Sequence, residues 1–461
     1  MFQFFKDSPI PCVNKHPNID SEERDESSNY AHENIHRNKP NIYGDLSISN
    51  PRKLAVISGA GIAGLAASIE LASRGYRVII AEKRDAFTRK NVINLDVSVQ
   101  QFLNKHHLLE LFERDVAAKI DLHQTIHFNN NHECNVIYES SKENPFFVKQ
   151  KDEIFDINNM DQLFNQDALY SARIKDIQTF LTKKAFELNV YIYGNTEVNV
   201  SNKSIRLKSR ALFYDYNFNK ITPDLFFVAE GVHSSTADKL GMHKEEIENA
   251  CTGENWIFGN APYYGQKTWV SSVLDTSDHK LKIANVIFNG KANVINVAVM
   301  VSKSSMTVGE IRLEIYAVLN KILKHEKLEH LNVSIHDIKD VVKKPVQIKN
   351  EKRRVFSMHQ TMCIGDTAGH SSPLAGMGGT LGLTLTPRII ENFLNDFEKH
   401  APMLNRHANI FSEAAVMRWF CKSDHIKKMI LSLAASDVSD LRTKEEHEAS
   451  LDGHATMACH L

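Results

Sequence analysis

The 461-residue sequence contains no Cys-x-x-Cys pair; its six cysteines, Cys12, Cys134, Cys251, Cys363, Cys421 and Cys459, are scattered. Such spacing argues against a structural zinc site and against a disulfide framework. Scattered thiols suit a reducing compartment, so a cytoplasmic location is expected. No apolar run approaches the roughly 20 residues that a membrane helix requires. Phe2, Phe4 and Phe5 are followed at once by Lys6 and Asp7, too short a run for a signal-peptide core. A charge excess is missing too: 55 Lys and Arg stand against 56 Asp and Glu, a formal net charge of -1. Nothing in the overall electrostatics therefore indicates a nucleic-acid partner.

What is present is ample core material, with 42% hydrophobic and 24% charged residues, enough for two or three domains. Residues 1–50 are expected to form a polar, disordered leader, because Asn14 to Asn50 carries too little apolar surface to offset the entropy of ordering it. Order begins at Leu54-Ala55-Val56-Ile57-Ser58, an apolar run fit for a buried parallel strand. Leu65 to Arg74 reads as a helix stopped by Gly75, and Tyr76 to Ala81 as a second strand. Strand, glycine turn, helix and strand make one βαβ unit. Ile174 to Leu188 has helical spacing, Val190 to Tyr193 and Asp224 to Ala229 read as strands, and the chain from Pro387 onward reads as mostly helical. Trp269 to Leu274, Leu281 to Phe288 and Val294 to Val301 read as successive strands of a separate antiparallel sheet.

Gly59-Ala60-Gly61-Ile62-Ala63-Gly64 fits the dinucleotide fingerprint G-x-G-x-x-G in full. Its glycines serve a tight turn, a close backbone approach to pyrophosphate, and helix–strand packing. The phosphates then meet free N–H groups at the helix start. The fingerprint follows an expected strand, opens an expected helix, and has Glu82 at the next strand's end, which is its confirming context. An acid there accepts from ribose hydroxyls and repels a 2′-phosphate, favouring FAD or NAD over NADP at this site.

The stretch Glu82-Lys83-Arg84-Asp85, continued by Arg89-Lys90-Asn91-Val92-Ile93-Asn94-Leu95, resembles class A FAD-dependent monooxygenases, the p-hydroxybenzoate hydroxylase-like superfamily. In detail it looks nearest to the MICAL monooxygenase domain. Ile174-Lys175-Asp176-Ile177-Gln178 is similar to a helix start that carries an Arg and often a Gln in this family. Here Lys175 takes the Arg position, with Gln178 three residues later and Arg173 two before, and either cation is a candidate to lie near the flavin phosphates. Glu230-Gly231-Val232-His233-Ser234-Ser235-Thr236-Ala237 departs from the family's Asp-Gly-x-x-Ser-x-x-Arg, which puts nicotinamide handling in doubt. The most specific segment runs from Cys363 through Gly365-Asp366 and His370 to Pro373, Gly376, Gly378, Gly379 and Thr380. By resemblance, Asp366 binds the ribityl chain, and the glycines after Pro373 offer N–H groups to the pyrimidine end of the flavin.

The expected fold is α/β. A Rossmann-like FAD-binding part spans 51–240, with inserted segments around 100–170. A mainly β substrate domain spans 241–350, a second FAD-binding segment 351–395, and a C-terminal helical region and tail 396–461. The resemblance implies an NAD(P)H- and O₂-dependent hydroxylase working through a flavin C4a-hydroperoxide on a small-molecule or side-chain substrate. Alternatives on the same scaffold are a reductase or dehydrogenase, or a flavin-binding interaction protein that has lost turnover. No metal is expected, and His370 is the one weak candidate for proton transfer. A role in core packing is expected for Trp256, Trp269, Tyr263 and Tyr264, an inert strand position for Cys363, and a solvated strand start for Lys352-Arg353-Arg354.

Overall fold

A computed structural model describes residues 53–129, 133–141, 168–201, 204–209, 217–246, 254–275, 277, 282–348, 351–353, 356–357, 361–369 and 377–395. The polar leader, the 396–461 region, His370, Pro373 and Gly376 lie outside the described residues. The chain opens with β1 (Leu54–Ser58), α1 (Ile62–Ser73) and β2 (Arg77–Ala81). Then come β3 (Val92–Asp96), α2 (Val99–Lys105), α3 (Leu109–Asp115), β4 (Ala118–Lys119), β5 (Leu122–Phe128) and β6 (Cys134–Ser141). β7 (Ala168–Arg173), α4 (Ile174–Glu187), β8 (Tyr191–Tyr193), β9 (Thr196–Ser201), β10 (Ser204–Ser209) and β11 (Asn217–Ile221) follow. Next are β12 (Leu225–Val228), α5 (Ser235–Lys239), β13 (Lys244–Glu246), β14 (Glu254–Pro262), β15 (Trp269–Asp275), β16 (Lys282–Asn289), β17 (Val294–Val301) and α6 (Val308–His325). β18 (Val346–Ile348), β19 (Glu351–Arg353), β20 (Phe356–Ser357), β21 (Thr361–Cys363) and α7 (Met377–Asn395) complete the described elements.

The first sheet has the order β20-β21-β12-β1-β2-β8 and is parallel from β21 to β8. Every residue of β1 is buried, as expected for a strand covered on both faces. α1, α4 and α7 pack around it, and their apolar faces join β1, β2 and β12 in one core.

The second sheet, hereafter the roof, has the order β18-β14-β17-β16-β15-β5-β6. The expected strands at 269–274, 281–288 and 294–301 are present and antiparallel, but β5 pairs with β15 in parallel, so the sheet is mixed. β5 and β6 thus join this sheet, a long-range choice that no local periodicity announces. One face of the roof packs on α6, whose Ile311, Ile315, Val318, Leu319, Ile322 and Leu323 are buried. A capping box starts that helix: the Thr307 side chain accepts from the Glu310 N–H, and Glu310 reaches back to the Thr307 N–H at 2.7 Å.

Further sequence expectations need correction. α7 begins at Met377, so Pro387 lies inside the helix rather than at its start. Arg353 is no solvated strand start: it is 3% exposed, and its guanidinium donates to Asp238 and, at 2.6 Å, to the Met242 carbonyl.

Candidate cofactor site

β1 runs into Gly59, whose φ of +106° few other residues adopt and whose N–H donates to the Ala81 carbonyl at 2.8 Å. A Cβ on Gly59 would stand 2.3 Å from the Ala229 carbonyl oxygen, and one on Gly64 would stand 2.1 Å from the Gly59 oxygen. Backbone therefore forces both glycines. Gly61 is different: a Cβ there would meet only the Ala229 oxygen, at 3.9 Å, so the space beside it is open. Gly61 is the N-cap of α1, with no side-chain cap and no acid in the first turn. The first-turn N–H groups, those of Ile62 and Ala63 included, thus lack the internal partner that a capping side chain provides, and the helix dipole favours an anion before them.

Glu82 is 7% exposed at the end of β2. Its carboxylate accepts from the Ala60 N–H at 2.8 Å and from the Arg84 N–H at 3.0 Å, which holds it over the glycine turn. Two carboxylate oxygens have acceptor sites left after these bonds. Lys83, Arg84 and Arg89 are exposed on the loop beyond. That loop is stitched to α4: the Asn91 carbonyl accepts from the Ile174 N–H at 2.9 Å, and the Arg89 carbonyl from the Lys175 N–H at 3.1 Å. Gln178 donates to the Ala60 carbonyl at 2.9 Å, bringing the α4 start onto the glycine turn. Lys175, 6% exposed, lies one helical turn before Gln178 on the same face. Arg173 is engaged elsewhere, donating to the Ala292 carbonyl in the roof. Lys175 thus shares the α4 face of Gln178, whereas the Arg173 guanidinium is turned to the roof.

The second motif arrives from β21. Gly365 (φ +59°), Asp366 and Thr367 form a single 3₁₀ turn, and a Cβ on Gly365 would lie 2.7 Å from the Ala63 Cβ, so this turn rests on the start of α1. Thr367 Oγ1 accepts from the Gly231 N–H at 2.8 Å and donates to the Gly231 carbonyl at 3.1 Å, stapling the two motif segments together. Asp366 is half-buried. Gly378 and Gly379 lie in the first turn of α7, where a Cβ on Gly379 would fall 2.3 Å from Ile93 Cδ1. Thr380 Oγ1 accepts from the Asp96 N–H at 3.2 Å. The glycine turn, Gly231 and Gly365 thus converge at the carboxyl ends of parallel strands, where open α/β sheets bind ligands.

Glu230 points inward. Its carboxylate accepts from Ser58, from Ser234 Oγ at 2.7 Å, and from the Thr236 hydroxyl and N–H at 2.5 and 3.2 Å. The acid organises the start of α5, and Ala237 beside it is wholly buried. The hydrogen-bonding roles of Ser58, Thr367 and Thr380 were not legible in the sequence, since each is a common residue whose partner is distant in the chain. Trp256, Tyr263 and Trp269 belong to the packed sheet, with the Trp269 ring stacked on Phe288 at 4.2 Å; Tyr264, expected in the core, is instead exposed, because it lies in the turn after β14. Burial pushes the Cys363 thiol up to about 12, keeping it protonated. Among the described residues no group of three or more His, Cys, Asp or Glu side chains is placed to hold a metal, and no helix is long and apolar enough to cross a membrane.

Solved structures share this fold at low sequence identity. 2-Methyl-3-hydroxypyridine-5-carboxylic acid oxygenase superposes with a TM-score of 0.59 at 14% identity, covering 84% of this chain and 96% of its own. p-Nitrophenol 4-monooxygenase PnpA from Pseudomonas putida DLL-E4 gives 0.56 at 15%, covering 88% and 96%. PqsL from Pseudomonas aeruginosa, described as a probable FAD-dependent monooxygenase, gives 0.56 at 12%, covering 87% and 99%. No curated protein matches the sequence. The FAD binding domain family model matches residues 53–384, most of the chain and every segment gathered at the glycine turn, and the protein belongs to that family.

Proposed function

We propose that this protein is an FAD-dependent monooxygenase that uses NADPH or NADH and O₂ to hydroxylate a small molecule or an exposed side chain. The observation that carries this reading is the meeting of the uncapped α1 start, Glu82 and the Gly365–Asp366 turn. In this reading Gly59, Ala60, Gly61, Ile62, Ala63 and Gly64 hold the pyrophosphate through backbone N–H groups, with Lys175 as nearby cation and Gln178 fixing the turn. Glu82 takes the adenine ribose, flanked by Lys83 and Arg84. Arg89 and Asn91 border the isoalloxazine, Gly231 and Asp366 the ribityl chain, and the Pro373, Gly376, Gly378 and Gly379 segment the pyrimidine end. FAD, when bound, supplies the oxygen-activating chemistry. The chain's part is to bind and orient it, to exclude water with the roof, and to set the α7 start where its dipole favours negative charge. The oxygenase and monooxygenase activities named for the structural neighbours support this reading.

The MICAL-like run from Glu82 to Leu95 keeps an exposed side chain among the substrates. Free cysteines at positions 134 and 363 accord with a cytoplasmic setting. Glu230 favours a second reading, a flavin protein without nicotinamide turnover, because its carboxylate is committed to Ser58, Ser234 and Thr236. The two separate in one assay: purify the chain, record its flavin spectrum, and add NADPH or NADH in air. Bleaching with O₂ uptake is the expected result. A yellow protein that neither nucleotide reduces would leave only the second reading.

A further inference from the structure

Two exposed segments meet where the loop before β3 touches the edge of the roof. The Asn260 side chain of β14 donates to the Lys90 carbonyl at 3.4 Å and to Asp340 at 3.3 Å. The backbones of Asn260 and Lys339 exchange hydrogen bonds at 2.9 and 2.7 Å. From Lys339 the chain runs along β14 into β18, with the Val342 N–H on the Phe258 carbonyl and Val346 opposite Trp256. Arg89, Lys90, Lys339, Lys343 and Lys344 are all exposed along this seam. Asp340 is the one acid within residues 86–91 and 338–347, and it pairs with Lys90 at 3.1 Å. The other four cations form no ion pair among the described residues. Between Lys339 and Lys344 an extended chain covers no more than about 17 Å, so their fields add. Positive charge gathered in this way favours an anionic partner. The complementary charge lies in the chain itself. Asp20, Glu22, Glu23, Asp25 and Glu26 crowd residues 20–26, with Arg24 as their single opposite charge. Residues 27–52 tether this run to β1 and can extend over roughly 80 Å. The strip is nearer than that. β1 is only about 17 Å long, and beyond it Ala60 is bonded to Gln178 of α4, whose start holds the Arg89 carbonyl.

We propose that the acidic run 20–26 docks on the strip of Arg89, Lys90, Lys339, Lys343 and Lys344 in its own chain, covering the seam between the loop before β3 and the roof edge. The tether holds the run at an effective concentration on the order of millimolar, so weak, exposed ion pairs suffice to seat it. Held by charge alone, the run leaves the strip as salt rises. The test treats the purified full-length chain with a water-soluble carbodiimide, which joins a carboxylate to a lysine amine only where the two touch. The Lys90–Asp340 pair is the positive control. Peptide mapping of the monomer band is expected to find residues 20–26 joined to Lys90, Lys339, Lys343 or Lys344. Raising NaCl from about 10 mM, where charges act over ~30 Å, to about 1 M, where they act over ~3 Å, should cut these links about tenfold or more. Lys343→Glu combined with Lys344→Glu should lower the links to Lys90 and Lys339 about tenfold as well, although both amines remain. Four outcomes would each overturn the proposal. They are no link from the run while Lys90 and Asp340 are joined, links to other lysines alone, links that persist at high salt or in the double variant, and links found only between two chains.

Discussion

At the residue scale, the three fingerprint glycines are glycines for different reasons, and substitution should separate them. Gly64→Ala sets a methyl group 2.1 Å from the Gly59 carbonyl oxygen, a backbone atom that cannot step aside. The expected outcome is a loss of about 3 kcal/mol or more in urea unfolding, or failure to fold. Gly61→Ala meets nothing nearer than 3.9 Å. It should unfold within about 0.5 kcal/mol of the wild type when flavin is stripped, yet retain little FAD, because the added methyl group occupies the pyrophosphate approach. Equal flavin content in Gly61→Ala and wild type would count against the binding assignment. Glu82→Ala removes the acceptor of the Ala60 and Arg84 N–H groups and is expected to weaken FAD retention; undiminished flavin would refute the ribose role. These positions were legible in the sequence because a fingerprint is a local constraint. The inward turn of Glu230 was not, because its partner Ser58 lies 172 residues away.

At the element scale, α1 carries a buried acid. Glu70 is 1% exposed and accepts from His106 on the residue after α2, from Lys105 at 2.7 Å, and from Arg74, which also pairs with Glu391 of α7. Burial pushes its carboxyl upward, but the hydrogen bonds from His106, Lys105 and Arg74 outweigh this and hold it at about 2. A depressed folded value means stability that is present above the ordinary value near 4.5 and lost as pH falls from there toward about 2. The ion cluster should thus contribute roughly 3 kcal/mol at pH 7 that fades across that window. Urea midpoints at pH 7 and pH 3 should diverge in the wild type and much less so in Glu70→Gln; equal divergence would sink the assignment. α6 offers a simpler case. Thr307→Ala removes the cap of its first turn and should lower Tm by about 2 °C. This helix lies in a stretch expected to be mainly β, although its Thr-x-x-Glu box before Ile311, Ile315 and Leu319 is a local helix signal. The mixed pairing of β5 with β15 was not, since strand partners 147 residues apart share no local signal.

At the scale of the whole molecule, Asn289 ties the roof to β7 of the FAD-binding half by two hydrogen bonds. It is 1% exposed, donates twice to Ser171, and accepts from the Ala292 N–H at 2.7 Å. Asn289→Leu leaves those buried groups unmatched, so a loss of about 2–4 kcal/mol is expected. If the joint holds the roof over the flavin, urea unfolding followed by tryptophan fluorescence and by flavin release should lose its single shared midpoint. Coincident midpoints in the variant would show that the apolar cluster of Val92, Ile120, Val270, Ile287 and Val294 suffices.

The sequence alone determined the βαβ unit, the glycine turn and the Glu82 position, because strand burial, helix start and turn geometry are written within some thirty adjacent residues. It also placed the Gly365–Asp366 segment, through a pattern of proline and glycines at fixed offsets. Tertiary structure decided what lies between them. It drew the Arg173 guanidinium to the Ala292 carbonyl and brought Gln178 of α4 onto the Ala60 carbonyl. It stapled Gly231 to Thr367 and buried Arg353. Each of these joins residues that are far apart in the chain, and which distant groups meet is settled by packing and by pairing of buried polar atoms, not by local propensity.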